Sequence, residues 1–264
     1  PYPTLFRSRR RMKRASITKR PRGAPAGGCP SCDAAAEILR RVDPALGAGG
    51  RDLLAEYHRR ARRPARAAPE GRWQDDRIVR EIPRGASVLD LGCGEGDLLA
   101  RLMRRKAVRG QGVELDPPAV IRCVERGVPV FQADLDRGLA GFPDRSFDYV
   151  VLEETLQTLH RPLKVLGEML RVGRHGIVSF PNFAWWRIRM SLLVEGRMPT
   201  TEQLPYRWHD TPNIHLFTLQ DFLDWVTRER VKVVRAFAYA DGAVRPLADD
   251  DTLNAEEALF FLSR

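Results

Sequence analysis

The 264-residue chain has only four cysteines, at positions 29, 32, 93 and 123. That is too few for a disulfide scaffold at this length, and a reduced, cytoplasmic protein is expected. Cys29 and Cys32 form a single CxxC pair with no second pair, and His58 is the one histidine near it. A structural zinc needs four ligands, so the pair alone does not make a metal site. No apolar run approaches the ~20 residues that cross a bilayer, and no apolar signal core stands near the start. No Gly-Lys-Ser/Thr triplet is present to close a P-loop, and no Ser/His/Asp or Cys/His constellation points to covalent catalysis.

What is abundant is positive charge, with 44 Lys and Arg against 34 Asp and Glu. A net +10 invites a nucleic-acid partner. Its location argues otherwise. Residues 1–72 carry 18 basic and 6 acidic side chains, a net +12, and residues 73–264 carry a net −2. The first quarter holds nine basic residues and no acid across positions 7–22, with Ala/Pro/Gly-rich stretches at 23–30 and 64–71. Little of it can offset the entropy of ordering. Residues 1–72 are therefore expected to be a largely disordered basic extension, with a short basic helix at 51–63. Beginning at Pro1 and rich in arginine, this quarter also has the composition of a targeting leader or an added segment.

From Trp73 the pattern alternates between strand and helix. Ile78, Val79 and Ile82 share a helical face that Pro83 ends. Strands are expected at 87–91, 111–115, 128–132, 147–152 and 177–180. Between them lie helices carrying Leu98, Leu99, Leu102 and Met103, then a helix from Pro117 to the stop at Gly127, then one at 162–172 ended by Gly173. A helix at 219–227 and strands at 231–239 and 258–262 close the chain. The fold class is α/β: a doubly wound, mostly parallel sheet covered on both faces.

The turn after the first strand reads Asp90-Leu91-Gly92-Cys93-Gly94-Glu95-Gly96-Asp97. Its glycines let backbone lie close to a ligand, beyond the carboxyl ends of the strands where open α/β sheets bind. The spacing is GxGxG and not the dinucleotide GxGxxG. Asp90, Glu95 and Asp97 would repel a pyrophosphate, whereas a cationic ligand fits. S-adenosylmethionine carries a sulfonium and an ammonium that acidic surroundings stabilise. Glu114, ending the second strand, can accept from both ribose hydroxyls. Asp134, after the third, can accept from an adenine amino group, with Ala133 and Leu135 flanking the ring. The candidate cofactor-binding set is Asp90, Gly92, Cys93, Gly94, Glu95, Gly96, Glu114, Leu115, Asp134, Leu135 and Glu153. Cys93 reads either as a reactive thiol or as a small residue packed on the strand. Of Glu153 and Glu154, one is expected to face the methionyl or acceptor side, and the other to be solvated or to cap a turn.

These residues resemble class I S-adenosylmethionine-dependent methyltransferases, and more narrowly the MetW family of methionine biosynthesis proteins. The resemblance rests on VLDLGCGEGDLL (88–99), GVELD (112–116), FDYVVLEETLQ (147–157), IVSFPNFAWWRIR (177–189), GRMP (196–199) and LPYRWHDTPNIHLFTLQDF (204–222). It covers residues 73–264, expected to form one methyltransferase-like domain. It implies a place in the acyl-homoserine route to methionine, with homoserine O-acyltransferase as the partner or regulated enzyme. The alternative is an active methyltransferase on a small-molecule acceptor. Neither a membrane nor nucleic acid is an expected partner. Asn182-Phe183 does not follow the fourth strand as base-methylating tetrapeptides do.

Residues 181–218 are the least generic part. Trp185, Trp186, Arg187, Arg189, Arg197, Tyr206, Arg207 and Trp208 suit an anionic or planar ligand or a protein surface, or are in part core. His209, Asp210 and His215 have no recognisable ligand spacing, so no metal is expected. No catalytic residue is assigned. Displacement at a sulfonium can run on positioning and electrostatics alone.

Overall fold

In the computed structural model the described residues are 72–264, with Glu37 alone before them. The expectations for the basic extension, the helix at 51–63 and the Cys29/Cys32 pair lie outside the described residues.

Helix α1 (Trp73–Glu81) leads into β1 (Ser87–Leu91), α2 (Asp97–Lys106), β2 (Arg109–Glu114), α3 (Pro117–Glu125) and β3 (Val130–Gln132). After a 3-10 turn at Leu135–Arg137 come β4 (Phe147–Glu153), a second 3-10 turn at Leu156–Thr158, α4 (Pro162–Val172) and β5 (Gly173–Pro181). Helices α5 (Trp186–Glu195) and α6 (Leu219–Arg228), strands β6 (Lys232–Ala240) and β7 (Ala243–Pro246), the short α7 (Asp251–Asn254) and β8 (Glu257–Ser263) complete the order. One eight-stranded sheet runs β3-β2-β1-β4-β5-β8-β6-β7. β1 to β5 pair in parallel, β8 is antiparallel to both β5 and β6, and β7 is antiparallel to β6.

Two-residue periodicity splits the core. Leu89, Leu91, Val150, Leu152, Val178, Phe180, Phe260 and Leu262 pack with Leu166 and Met169 of α4 and Phe222 and Trp225 of α6. Their strand neighbours Val88, Val151, Ile177, Leu259 and Phe261 pack with Ile78 and Val79 of α1 and Leu98, Leu99 and Leu102 of α2. Alternate side chains leave opposite faces of a strand, so each strand feeds both layers.

Several elements differ from the sequence-based expectation. β5 starts at Gly173, whose φ of −97° is extended, so this glycine opens a strand and is not a left-handed stop. A Cβ there would lie 2.7 Å from Val150 Cγ2. β3 is shorter than expected because Pro129 has no N–H for the ladder, although its carbonyl accepts from Gly112 N at 2.8 Å. Residues 181–218, for which no helix was expected, contain one. α5 occupies ten of them, with Ile188, Ser191 and Val194 turned inward and Gly196 (φ +61°) ending it. The β6–β7 hairpin turns on Asp241 (φ +50°) and Gly242 (φ +78°), the two-residue Asp-Gly signature of a type I′ turn.

Candidate cofactor crevice

Chain order reverses direction in the sheet between β1 and β4: β2 and β3 lie to one side, β5 to the other. Such a switch point opens a crevice at the carboxyl ends of the two strands. Asp90 stands level with Gly112 on β2 and Val151 on β4, so its buried carboxyl group is at that opening.

The turn after β1 is shaped by three glycines in left-handed conformations, Gly92 (φ +73°), Gly94 (+56°) and Gly96 (+79°). At Gly92 a Cβ would come within 2.6 Å of Thr155 Oγ1, so the two crevice walls touch there. Gly92 N and Cys93 N both donate to the Val113 carbonyl, at 2.8 and 3.2 Å. The Cys93 side chain points inward. A Cβ on Gly112 would meet its Sγ at 2.4 Å, and it lies 3.8 Å from Cys123 Sγ. Its hydrogen bond with Cys123 and its burial push the Cys93 thiol up, which holds it protonated. Glu95 turns toward α3 and pairs with Arg122 and Arg126.

Glu114 ends β2 with a buried carboxylate that organises the turn. One oxygen accepts from Gly94 N at 2.7 Å, and the other from Leu115 N at 2.8 Å and Asp116 N at 3.0 Å. A carboxylate has about four acceptor positions, so three are filled and one remains, fewer than the two that the expected pair of ribose hydroxyls would use. Leu115 is exposed beside it. Asp134 caps the 3-10 turn by accepting from Asp136 N at 2.9 Å, and Leu135 is buried under that turn. Glycine backbone, the Glu114 carboxylate and the Asp134 carboxylate thus stand at the ends of three successive strands.

On the β4 wall the expected Glu153 stands with Arg72, Trp73, Gln74 and Glu257, which the sequence did not mark. Glu153, buried at the end of β4, pairs with Arg72. Trp73 Nε1 donates to Glu257, and Gln74 Nε2 donates to Glu154 at 3.0 Å and to Glu257 at 2.8 Å. Glu257 is the first residue of β8, and the antiparallel pairing of Glu257 with Pro181 of β5 brings it to the same edge. Burial, then the neighbouring Glu154, push its carboxyl group well above the usual range, against the Trp73 hydrogen bond. No local motif marks this group. Only the strand direction of β8 assembles it.

Residues 182–215 follow β5. Asn182 is structural: its amide donates to Thr252 and Ala255 carbonyls at 3.0 and 2.9 Å, and its oxygen accepts from Ala184 N and Leu219 N, both at 3.1 Å. Trp185 is buried with Ile188 and Leu204, and the Arg187 guanidinium lies 5.1 and 5.2 Å from the Trp185 and Trp186 rings. His209 and Asp210 are exposed, and Asp210 accepts from Arg207 N at 2.5 Å within a local turn. Ile214 N and His215 N both donate to the Gln157 carbonyl at 3.0 Å, just past β4. Gln157 Oε1 and His215 Nε2 are buried without hydrogen-bond partners. Among the described residues no group of three or more His, Cys, Asp or Glu could hold a metal, and no helix is long and apolar enough to cross a membrane.

Sheet order, switch-point crevice and glycine turn define the class I S-adenosylmethionine-dependent methyltransferase fold. Solved structures share it. A TehB-like SAM-dependent methyltransferase from Corynebacterium glutamicum is 18% identical, with a TM-score of 0.52 over 80% of this chain and 97% of that one. A S-adenosylmethionine-dependent methyltransferase from Mesorhizobium loti is 18% identical, with a TM-score of 0.53 over 72% of this chain and 98% of that one. Within the fold, the family described as "Methionine biosynthesis protein MetW" matches residues 72–262, and the chain belongs to that family. A curated relative, the bifunctional methionine biosynthesis protein MetXA/MetW of Rhodopirellula baltica, is 38% identical over 201 residues, 72% of this chain. The match spans 32% of that relative's length, about a third.

Proposed function

We propose that the chain binds S-adenosylmethionine in the β1–β4 crevice and supports homoserine O-acyltransferase in the acyl-homoserine route to methionine. The observation that carries the cofactor half is Glu114. Its carboxylate holds the glycine turn through three backbone N–H groups and keeps one acceptor position free. Asp90 and Glu153 add negative charge on either side, which suits a ligand bearing a sulfonium and an ammonium. When bound, S-adenosylmethionine supplies an electrophilic methyl group. The partner half is supported by the Rhodopirellula baltica relative, whose name joins MetXA and MetW in one bifunctional protein. The buried thiols of Cys93 and Cys123, hydrogen-bonded at 3.8 Å and not joined as a disulfide, suit the reducing cytoplasm.

Calorimetric titration with S-adenosylmethionine tests the first half, and Asp90→Ala or Glu114→Ala should abolish the heat. Mixing with the homoserine acyltransferase tests the second: co-purification and a change in acylation rate are expected, and their joint failure refutes the partnership.

A second reading, an active methyltransferase, is favoured by Gln157 Oε1 and His215 Nε2. These are buried polar atoms awaiting partners beyond β4, where an acceptor would approach. Production of S-adenosylhomocysteine from a panel of cell metabolites would support it, and none across a broad panel would sink it.

A further inference from the structure

Arg72 directly precedes α1, and its guanidinium pairs with Glu153 on the β4 wall of the crevice. The placement is anchored. Trp73 donates to Glu257 and stacks on Tyr239 with ring centroids 5.9 Å apart, and Gln74 bridges Glu154 and Glu257 at 3.0 and 2.8 Å. These contacts fix the first turn of α1 on the sheet edge, and with it the guanidinium. Burial alone would lower the Arg72 pKa, but Glu153, Glu154, Asp75 and Glu257 outweigh it and the net shift is upward. A cation is therefore already seated where a cationic ligand would enter.

We propose that Arg72 is a built-in competitor for the cofactor: it holds the Glu153 carboxylate until S-adenosylmethionine displaces it, so cofactor binding removes one of the contacts that hold the N-terminal turn of α1. This rests on the reading of the crevice as the cofactor site. Two positive groups at one carboxylate repel each other strongly in a partly buried site. A ligand that must first displace a resident group binds with an affinity reduced by the fraction of open molecules.

The test titrates the 264-residue chain, as wild type, Arg72→Met and Arg72→Lys, with S-adenosylmethionine and with S-adenosylhomocysteine. Arg72→Met should tighten S-adenosylmethionine by roughly tenfold or more. The gain should be smaller for S-adenosylhomocysteine, which lacks the sulfonium charge, and Arg72→Lys should stay near wild type. Unchanged affinity in Arg72→Met overturns the proposal. So does weaker binding, which would make Arg72 a ligand for the cofactor carboxylate. Because Arg72→Met strips a buried acid of its partner and can fail to fold, the wild type carries an independent measurement. Hydrogen–deuterium exchange in the peptide covering residues 72–81 should quicken on saturation with S-adenosylmethionine. Slower or unchanged exchange overturns the proposal. If neither wild type nor variants bind S-adenosylmethionine, the cofactor reading itself falls and the proposal with it. Wild-type binding with unaltered variants fells the proposal alone.

Discussion

Replacing Glu114 by Gln probes fold and crevice at once. The carboxylate accepts three buried backbone N–H groups, from Gly94 at 2.7 Å, Leu115 at 2.8 Å and Asp116 at 3.0 Å. A glutamine keeps the shape but presents an NH2 in place of one oxygen. Set toward Gly94, it leaves that one N–H without an acceptor. Set the other way, it abandons both Leu115 and Asp116. The first orientation costs less, and it still weakens the two surviving bonds from charged to neutral. A hydrogen bond to a charged group contributes about 1.5–3 kcal/mol and a neutral one about 0.5–1.5, so one bond lost and two weakened cost about 3–6 kcal/mol. Urea unfolding followed by tryptophan fluorescence reads this directly. With a slope near the middle of the usual range of about 1–3 kcal/mol/M, the midpoint should fall by roughly 1.5–3 M while the slope stays constant. A change below about 0.5 kcal/mol would show that Glu114 does not organise the glycine turn, and the case for the crevice as a preformed ligand site would fall with it.

Three further outcomes are expected. Gly112→Ala sets a Cβ 2.4 Å from Cys93 Sγ and should cost about 1–3 kcal/mol, most of it recovered by adding Cys93→Ala; additive losses in the double-mutant cycle would contradict the contact. Asn182→Ala removes the staple between β5, α6 and the residues just before β8, and should cost about 3–5 kcal/mol, seen as a melting temperature lower by roughly 6–20 °C; a loss under about 1 kcal/mol would refute that role. Burial, offset by Arg187, pushes Glu256 up to about 7 from its ordinary 4.5, so its contribution to stability is full below pH 4.5 and lost as pH rises through 7. Glu256→Gln should therefore gain on wild type by about 1–2 kcal/mol between pH 5 and pH 8, the partial exposure being allowed for, and a pH-independent difference would refute the shift.

The strands that carry the crevice were legible because their signals are local. β1 matched its expected bounds, α4 did so too, and the acids at the ends of β2 and β3 follow from strand ends alone. α5 escaped because its apolar residues spread around the helix, so no stripe stood out, although Gly196 marks its end. β7 was legible in principle from Asp241-Gly242. The β4 wall was not. Trp73 and Glu257 are 184 positions apart in the chain, and they meet through the reversed direction of β8, which nothing in either local sequence announces.

Position changes the charge argument more than composition does. Counted along the chain, Asp90, Glu95 and Asp97 surround the glycine turn. In the fold, Glu95 is neutralised by Arg122 and Arg126, and Asp97 is largely exposed beside Arg126 at 3.3 Å. The acids left at the opening are Asp90 from β1, Glu114 from β2 and Glu153 from β4, all buried. The N-terminus of α2 points a positive dipole end at the same place, an effect of about 0.3–2 kcal/mol for an anion. Each buried carboxylate at roughly 8 Å opposes a unit negative charge by about 2 kcal/mol at an effective dielectric of about 20. Two such acids outweigh the dipole, and Arg72 cancels no more than one of the three. A pyrophosphate is disfavoured on balance and a cation favoured, and that holds although the whole chain is basic. The acidity belongs to the carboxyl edge of one sheet.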